Sequence, residues 1–362
     1  MNIYVYKIEG IFPSECLGII DNYKSFNFTK SFQGCGKWTL KGNYTKDISS
    51  ILQTGNLIYL NPRVAGIIQS VDYHTDSDGE MTYTAYGFEL KGILGYRIVW
   101  DTYSHNIDAD SWIYGLVKEN TQRQRQLFST IQENKINTPK LDRQVSYKNL
   151  LDAVEDACAA QHTTNKNLLG FEVLCDIDKG FTFTLLEGAD RTFTSDNPYL
   201  VSRDMDNVSS LVYGETSQNA CNIALVAGEG EGTNRKIATA GYMGSSGLYR
   251  REGFKDCRNL QSTYEDKDGV QHTLTTEEYM ALLRQEANNQ LSPMTELSVD
   301  AESVIDSDNA LDLLGAKITL ADKLFNVQVE DYVSEINWID EQDGSLTTLT
   351  IGKGLDAKQI IY

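Results

Sequence analysis

Gly55-x-x-Ile58-x-Leu60, followed by Ile68, Val71, Tyr73, Asp78, Gly79 and Gly87, recurs near the other end of the chain. The second copy reads Gly315-x-x-Ile318-x-Leu320, then Val333, Ile336, Trp338, Asp343, Gly344 and Gly352. From Ile68 onward the copies overlay without a gap, 265 positions apart, and only the loop before that point is longer in the second copy, by five residues. β-Branched and aromatic residues ending at Asp-Gly, a pair that accepts the positive φ of a tight turn, read as a strand, a loop and a hairpin. Such a module present twice favours a scaffold that builds a symmetric object over a catalyst.

The surrounding sequence predicts an α+β, mainly β protein of several domains. Residues 1–97 alternate short β-rich runs, among them Ile3–Tyr6, Trp38–Leu40, Leu57–Leu60 and Met81–Tyr86, with Gly and Asn/Asp clusters, as a small barrel does. Over 98–204 the period changes. Asp110–Val117 starts a short helix, and Ser146 is placed to cap a second whose face is Leu150, Leu151, Val154, Ala157 and Cys158. Phe171–Cys175 and Phe181–Leu185 then form a hairpin turned by Asp178-Lys-Gly180. Residues 205–295 return to strands, Ser210–Tyr213 and Asn222–Ala227, with one well-signalled helix. Thr275 and Glu278 form its capping box, Leu274 and Tyr279 its staple, and Tyr279, Leu282, Leu283, Ala287 and Leu291 its buried stripe. Residues 296–362, with strands borrowed from 205–260, are expected to form a second small β-barrel.

Composition narrows the function. The 362 residues are 41% hydrophobic and 23% charged, ordinary for a globular protein, and no apolar run is long enough for a membrane helix. The N-terminus lacks signal-peptide features, so synthesis and folding in a cytoplasm are expected. Cys16, Cys35, Cys158, Cys175, Cys221 and Cys257 are too sparse for a disulfide framework in a chain this size and, with no C-x-x-C pair, have no zinc-finger spacing. Net charge is −19, with residues 1–100 neutral and the last 72 residues carrying fourteen acidic and four basic side chains. That field opposes gripping nucleic acid through phosphates. It suits either a surface that nucleic acid passes without sticking or a solubilising coat.

Motifs for chemistry fail on physical grounds. Ala227-Gly-Glu-Gly-Glu-Gly-Thr-Asn-Arg235 follows a strand as a phosphate loop does, but Glu229 and Glu231 would repel phosphate and no helical stripe follows. It reads as a flexible loop between strands. Asp76-Ser-Asp78-Gly79 and Asp266-Lys-Asp268-Gly269 lack the bidentate carboxylate of a calcium loop and read as acidic turns. His74, His105, His162 and His272 form no zinc pair. Cys158 and His162, four apart, fit a thiolate–imidazole pair less well than a core cysteine and a histidine near a helix end. No catalytic, cofactor-binding or metal-binding residue is assigned.

Several segments taken in order carry a family resemblance. They are Ile19–Ser25, Gly36-Lys-Trp-Thr-Leu40, Gly66–Val71, Tyr86-Gly-Phe-Glu-Leu-Lys-Gly-Ile-Leu-Gly-Tyr-Arg-Ile98, Glu187–Thr192, Tyr213–Ser217 with Asn222, Gly228–Gly232, Leu248–Glu252 and Leu274–Tyr279. With the C-terminal hairpin they resemble the baseplate-hub or tail-associated proteins of long-tailed phages and prophages, which look like the hub of contractile-phage baseplates. The resemblance implies a non-enzymatic virion protein at the tail tip. Three copies would form a ring with two barrels per chain, joining a hexameric tail tube or distal tail protein to tip or spike proteins. DNA would pass its lumen without specific binding, and no membrane insertion or cofactor is implied. Because the sequence stops soon after the last hairpin, lytic or receptor-binding activity is expected to belong elsewhere. The rival reading is a tail protein that binds or cleaves cell-wall glycan through its many tyrosines and tryptophans.

Overall fold

The computed structural model describes residues 1–205, 207–208, 210–265, 270–294, 296–302, 310–323 and 327–351. The first segment contains β1 (Ile3–Glu9), β2 (Phe12–Ile20), β3 (Ser25–Ser31), β4 (Lys37–Asn43), β5 (Leu57–Asn61), β6 (Val64–Thr75) and β7 (Met81–Glu89), with α1 (Lys46–Ile51) after β4. The middle contains β8 (Tyr103–Asp108), α2 (Ala109–Asn120), β9 (Thr130–Gln132), β10 (Lys140–Val145), α3 (Leu150–Ala159), β11 (Leu169–Asp176), β12 (Gly180–Glu187), β13 (Asp190–Arg191) and β14 (Leu200–Val201). Next come β15 (Ser210–Thr216), β16 (Ile223–Ala227), β17 (Ile237–Gly241), β18 (Glu252–Asp256), β19 (Thr263–Glu265), β20 (Gln271–Thr273) and α4 (Thr276–Asn288). The chain ends with β21 (Glu296–Glu302), β22 (Lys317–Asp322), β23 (Val327–Glu341) and β24 (Gly344–Ile351).

The repeat is real at the level of single backbone bonds. β5 pairs antiparallel with the start of β6, Ile58 opposite Gly66, and β22 pairs with the start of β23, Ile318 opposite Asp331. In each copy the long strand then bulges at the equivalent residue, Gln69 or Ser334, and its far half pairs with the next strand, β7 or β24. Gly55 takes φ +90° and donates its N–H to Ile68 O at 2.8 Å; Gly315 takes φ +80° and donates to Val333 O at 2.8 Å. Ile68 N–H returns a bond to Asn56 O, and Val333 N–H returns one to Ala316 O, both at 2.9 Å. Positive φ at the glycine lets the strand entry fold back onto the bulge, so the Gly-x-x-Ile spacing encodes this corner. In the third strand the register slips by one: Val71 faces Ala85, but Ile336 faces Leu349. The cause is the turn, which is five residues long in the first hairpin (Thr75 opposite Met81) and two in the second (Glu341 opposite Gly344). Gly352, the last residue of the repeat pattern, lies outside the described residues, as do Asp266–Gly269.

Two separate barrels are not what the described ladders form. β23 pairs with β3, Trp338 opposite Phe28, and β3 leads through β4 to β7. The result is one open sheet in the order β15-β21-β24-β23-β3-β4-β7-β6-β5-β1-β2, with β22, β13 and β14 branching from β23. One core therefore serves both ends of the chain, with Ile3, Phe26, Phe28, Trp38 and Ile68 packed among Leu313, Ile318, Ile336, Trp338 and Leu349. A second core joins Leu90, Ile93 and Leu94 to α2, α3, β11 and β12. The third lies between α4 and the β17-β16-β18 sheet.

Local readings hold with three corrections. Thr275 and Glu278 form the capping box, and Tyr279, Leu282, Leu283 and Ala287 are buried. Leu291 lies beyond the helix end and is half-buried. α3 buries Leu150, Val154, Ala157 and Cys158, but its cap is Asn149, whose side chain accepts from Leu151 N–H at 2.9 Å. Ser146 is not its cap, because Val99 and Arg97 hold Tyr147 and Leu150 through backbone bonds that start the helix later. The Ala227–Arg235 loop does join two strands, yet it is pinned rather than loose. Glu229 N–H donates to Tyr279 Oη, Ser262 N–H donates to the Glu229 carboxylate, both at 2.8 Å, and the Arg235 guanidinium donates to Ala227 O and Gly228 O.

Candidate functional site

The two modules differ in what covers them. In the second, the far half of β23 has a strand on each side, β24 and β3. In the first, the far half of β6, residues 70–75, pairs among the described residues only with β7, because the pairing of β5 with β6 extends no further than Leu57 opposite Ile67. Trp338 is 7% exposed, whereas its counterpart Tyr73 is 44% exposed. Among the described residues the edge that β3 fills on β23 is thus open on β6, and β15, at the far end of the sheet, also pairs with one strand only. An open strand edge is a row of unpaired N–H and C=O groups that favours pairing with another chain. The hairpin tips beside these strands carry Asp76, Asp78 and Glu80 in one module and Glu341 and Asp343 in the other, all exposed. Asp76 Oδ1 accepts from Asp78 N–H and Glu80 N–H, which is turn chemistry and leaves no cation cage.

A buried ionic seam holds the sheet to the α+β part. Lys30 on β3 lies 2.9 Å from Glu172 on β11 and 3.6 Å from Glu89 on β7, and donates to Arg63 O at 2.7 Å. Arg63 Nε donates to both Glu172 oxygens, at 3.0 and 3.2 Å. Lys91 donates to the carbonyls of Ser31, Phe32 (3.0 Å) and Gly34 (3.2 Å), and its ammonium sits 4.5 Å from the Phe171 ring centre. Glu89 Oε1 accepts from Gly36 N–H at 2.9 Å. Burial alone would raise the Glu172 carboxyl, but Lys30 and Arg63 hold it below the usual range. Burial lowers Lys91, and Glu89 partly offsets this. The sequence reading missed the seam, although Phe26, Phe28 and Lys30 share the buried parity of β3.

Beside the seam, burial and then Asp152 push the half-buried Glu155 carboxyl up to about 7 from 4.5. The folded chain then binds this proton more tightly than the unfolded chain. Its contribution is therefore fully present at acid pH and is lost as pH rises from about 4.5 to about 7. Glu172 has the opposite sign, stabilising at neutral pH and losing that effect on acidification. Glu155→Gln should leave stability unchanged at about pH 4 and raise it by about 1 kcal/mol at about pH 8, allowing for solvent screening of a partly exposed group. Urea unfolding at the two pH values checks this.

The remaining motif residues do not converge. Cys158 is fully buried and its thiol is pushed up to about 12 by burial, while His162 is exposed and lies against Tyr332, so no thiolate–imidazole pair forms. Among the described residues no three His, Cys, Asp or Glu side chains are placed to hold a metal ion, and no helix is long and apolar enough to cross a membrane.

A family model described as Siphovirus ReqiPepy6 Gp37-like protein matches residues 14–353. No curated protein sequence matches the chain. Among solved structures the fold is similar to a tail protein from Neisseria meningitidis, with TM-score 0.56 and 12% identity over 96% of each chain. It is also similar to the 43 kDa tail protein of prophage MuSo2 from Shewanella oneidensis, with TM-score 0.55 and 11% identity over 97% of this chain and 98% of that one. The prophage tail protein gp18 from Listeria monocytogenes gives TM-score 0.50 and 11% identity over 98% and 96%. These likenesses establish a shared fold.

Proposed function

The chain belongs to the siphovirus ReqiPepy6 Gp37-like family, and from that premise we propose that it is a structural hub of a phage or prophage tail tip. Three copies form a ring that joins the hexameric tail tube to the tip or spike. The observation that carries this reading is the duplicated module inside one open sheet, with the β3-type partner present on β23 and missing on β6 among the described residues. Two similar modules per chain and three chains give six similar units, which is what matching a sixfold tube requires. The modules are the counterparts of two barrel units whose closure takes place between chains, because an open sheet with free edges at separate places joins head to tail and a closed ring uses up every edge.

In this reading residues 1–97 and 296–362 face the tube, 98–204 form an α+β unit, and 205–295 pack between. The role is non-enzymatic, and the acidic C-terminal segment lines a lumen that DNA passes without specific binding. Cryo-electron microscopy of intact tail tips tests the proposal. A threefold ring with the two modules alternating around the channel is expected, and a peripheral or sixfold placement of this chain would overturn it. An acidic segment facing away from the channel would overturn the lumen assignment alone.

A further inference from the structure

The β17-β16-β18 sheet buries one face against α4, through Ala224, Val226 and Ala238 packed on Tyr279, Leu283 and Ala287. Its other face is uncovered among the described residues. Leu225 and Phe254, opposite each other in the parallel β16–β18 ladder, are 37% and 60% exposed. At the Ile223 end of this sheet the 241–251 loop displays Tyr242, Met243, Leu248 and Tyr249, and Leu248 reaches 88% exposure. The loop is braced, not loose. Arg250 Nη1 donates to Met243 O and Ser245 O, and Asn222 Nδ2 donates to Tyr249 O at 2.6 Å. A braced loop presenting large apolar side chains to water is the form of a preorganised contact surface.

Charge identifies the occupant. In a chain of net charge −19, residues 235–258 hold six Lys/Arg and two Asp/Glu, and four of the six, Arg235, Arg250, Lys255 and Arg258, are ion-paired within the chain. Exposed Lys236, at the Ala227 end of the sheet, and Arg251, at the Ile223 end beside the 241–251 loop, have no ion-pair partner among the described residues. The complementary surface lies elsewhere on the same chain. Residues 72–80, at the far end of the β6–β7 hairpin, hold four Asp/Glu and no Lys/Arg; Glu80 is paired with Lys24 at 2.8 Å, Asp72, Asp76 and Asp78 have no ion-pair partner among the described residues, and exposed Tyr86 shares the outer face with Asp72. Among the described residues both surfaces are uncovered within one chain, so pairing them requires two copies. Two different patches meeting head to tail form the heterologous contact that closes a ring.

We propose that the β16–β18 face and the 241–251 loop of one chain dock on the outer face and acidic tip of the β6–β7 hairpin of a second copy. This rests on the ring reading and assigns the surfaces that make the ring. The test measures the molar mass of the complete chain by light scattering across a dilution series. Lys236→Glu with Arg251→Glu, and separately Asp72→Lys with Asp78→Lys, should each weaken self-association at least about tenfold. A chain carrying all four changes should recover it. Leu248→Ser with Tyr249→Ser should weaken it without charge change, and an unchanged circular dichroism melt shows that each variant folds. Association unaffected by any of these, in a wild-type chain that does associate, overturns the docking surface and leaves the ring reading standing. A wild-type chain that stays monomeric at every concentration, with the two faces apart in the tail-tip ring by microscopy, overturns the self-contact.

Discussion

Glu172→Ala is expected to lower folding stability by about 3–5 kcal/mol at neutral pH, because it leaves Lys30 buried beside a single carboxylate and strips Arg63 of both acceptors. The Lys30 and Glu172 side chains are each 3% exposed, so water cannot replace the lost partner without opening the junction. Glu172→Gln keeps an acceptor of similar shape and should lose less. The contrast between the two variants, read by denaturant titration, separates the buried charge from simple packing. If both cost under about 1 kcal/mol, the cost of a surface pair, the seam is more hydrated than its geometry implies.

The second large effect is expected at Phe32. Its ring fills the space where a methyl on Gly170 or on Gly315 would stand, so it touches the α+β part and the second module together. Its N–H donates to Ser334 O at 2.9 Å, and its carbonyl accepts from Lys91 and from Phe171 N–H. Phe32→Ala should cost about 3–5 kcal/mol through lost burial and the cavity left behind. Gly315→Ala should also destabilise, since φ +80° and the Phe32 ring both exclude a Cβ. Unfolding followed by tryptophan fluorescence, which includes Trp338 in the second module and Trp112 in α2, is expected to stay a single transition in the wild type. In Phe32→Ala the two parts should separate into distinct transitions. Loss of stability with a single transition retained would mean that the seam alone couples them.

Local elements were legible where one short stretch contains its own cause. Thr275 and Glu278 cap α4 because both partners lie within one turn, and Gly180 at φ +84° turns its hairpin with Asp176 accepting from the turn N–H groups. The cap of α3 was misplaced because Asn149, and not Ser146, is selected by backbone bonds from Arg97 and Val99, fifty residues away in sequence. The Ala227–Arg235 loop looked loose because its anchors, Tyr279 and Ser262, come from elements about thirty to fifty residues later.

The sequence by itself determined the module and its duplication. Glycine at a positive φ, an apolar strand entry and a bulged long strand are local conditions, and the same residues at the same spacing produced the same backbone bonds twice. It also determined the acidic charge. Only the tertiary structure decided that β3 pairs with β23 while the far half of β6 has β7 alone among the described residues, and that Lys30, Arg63, Glu89, Lys91 and Glu172 share one buried seam. Strand pairing and charge burial depend on which residues meet across more than a hundred positions. One strand edge looks like another in sequence, and a lysine on a strand reads the same whether water or a carboxylate is waiting for it.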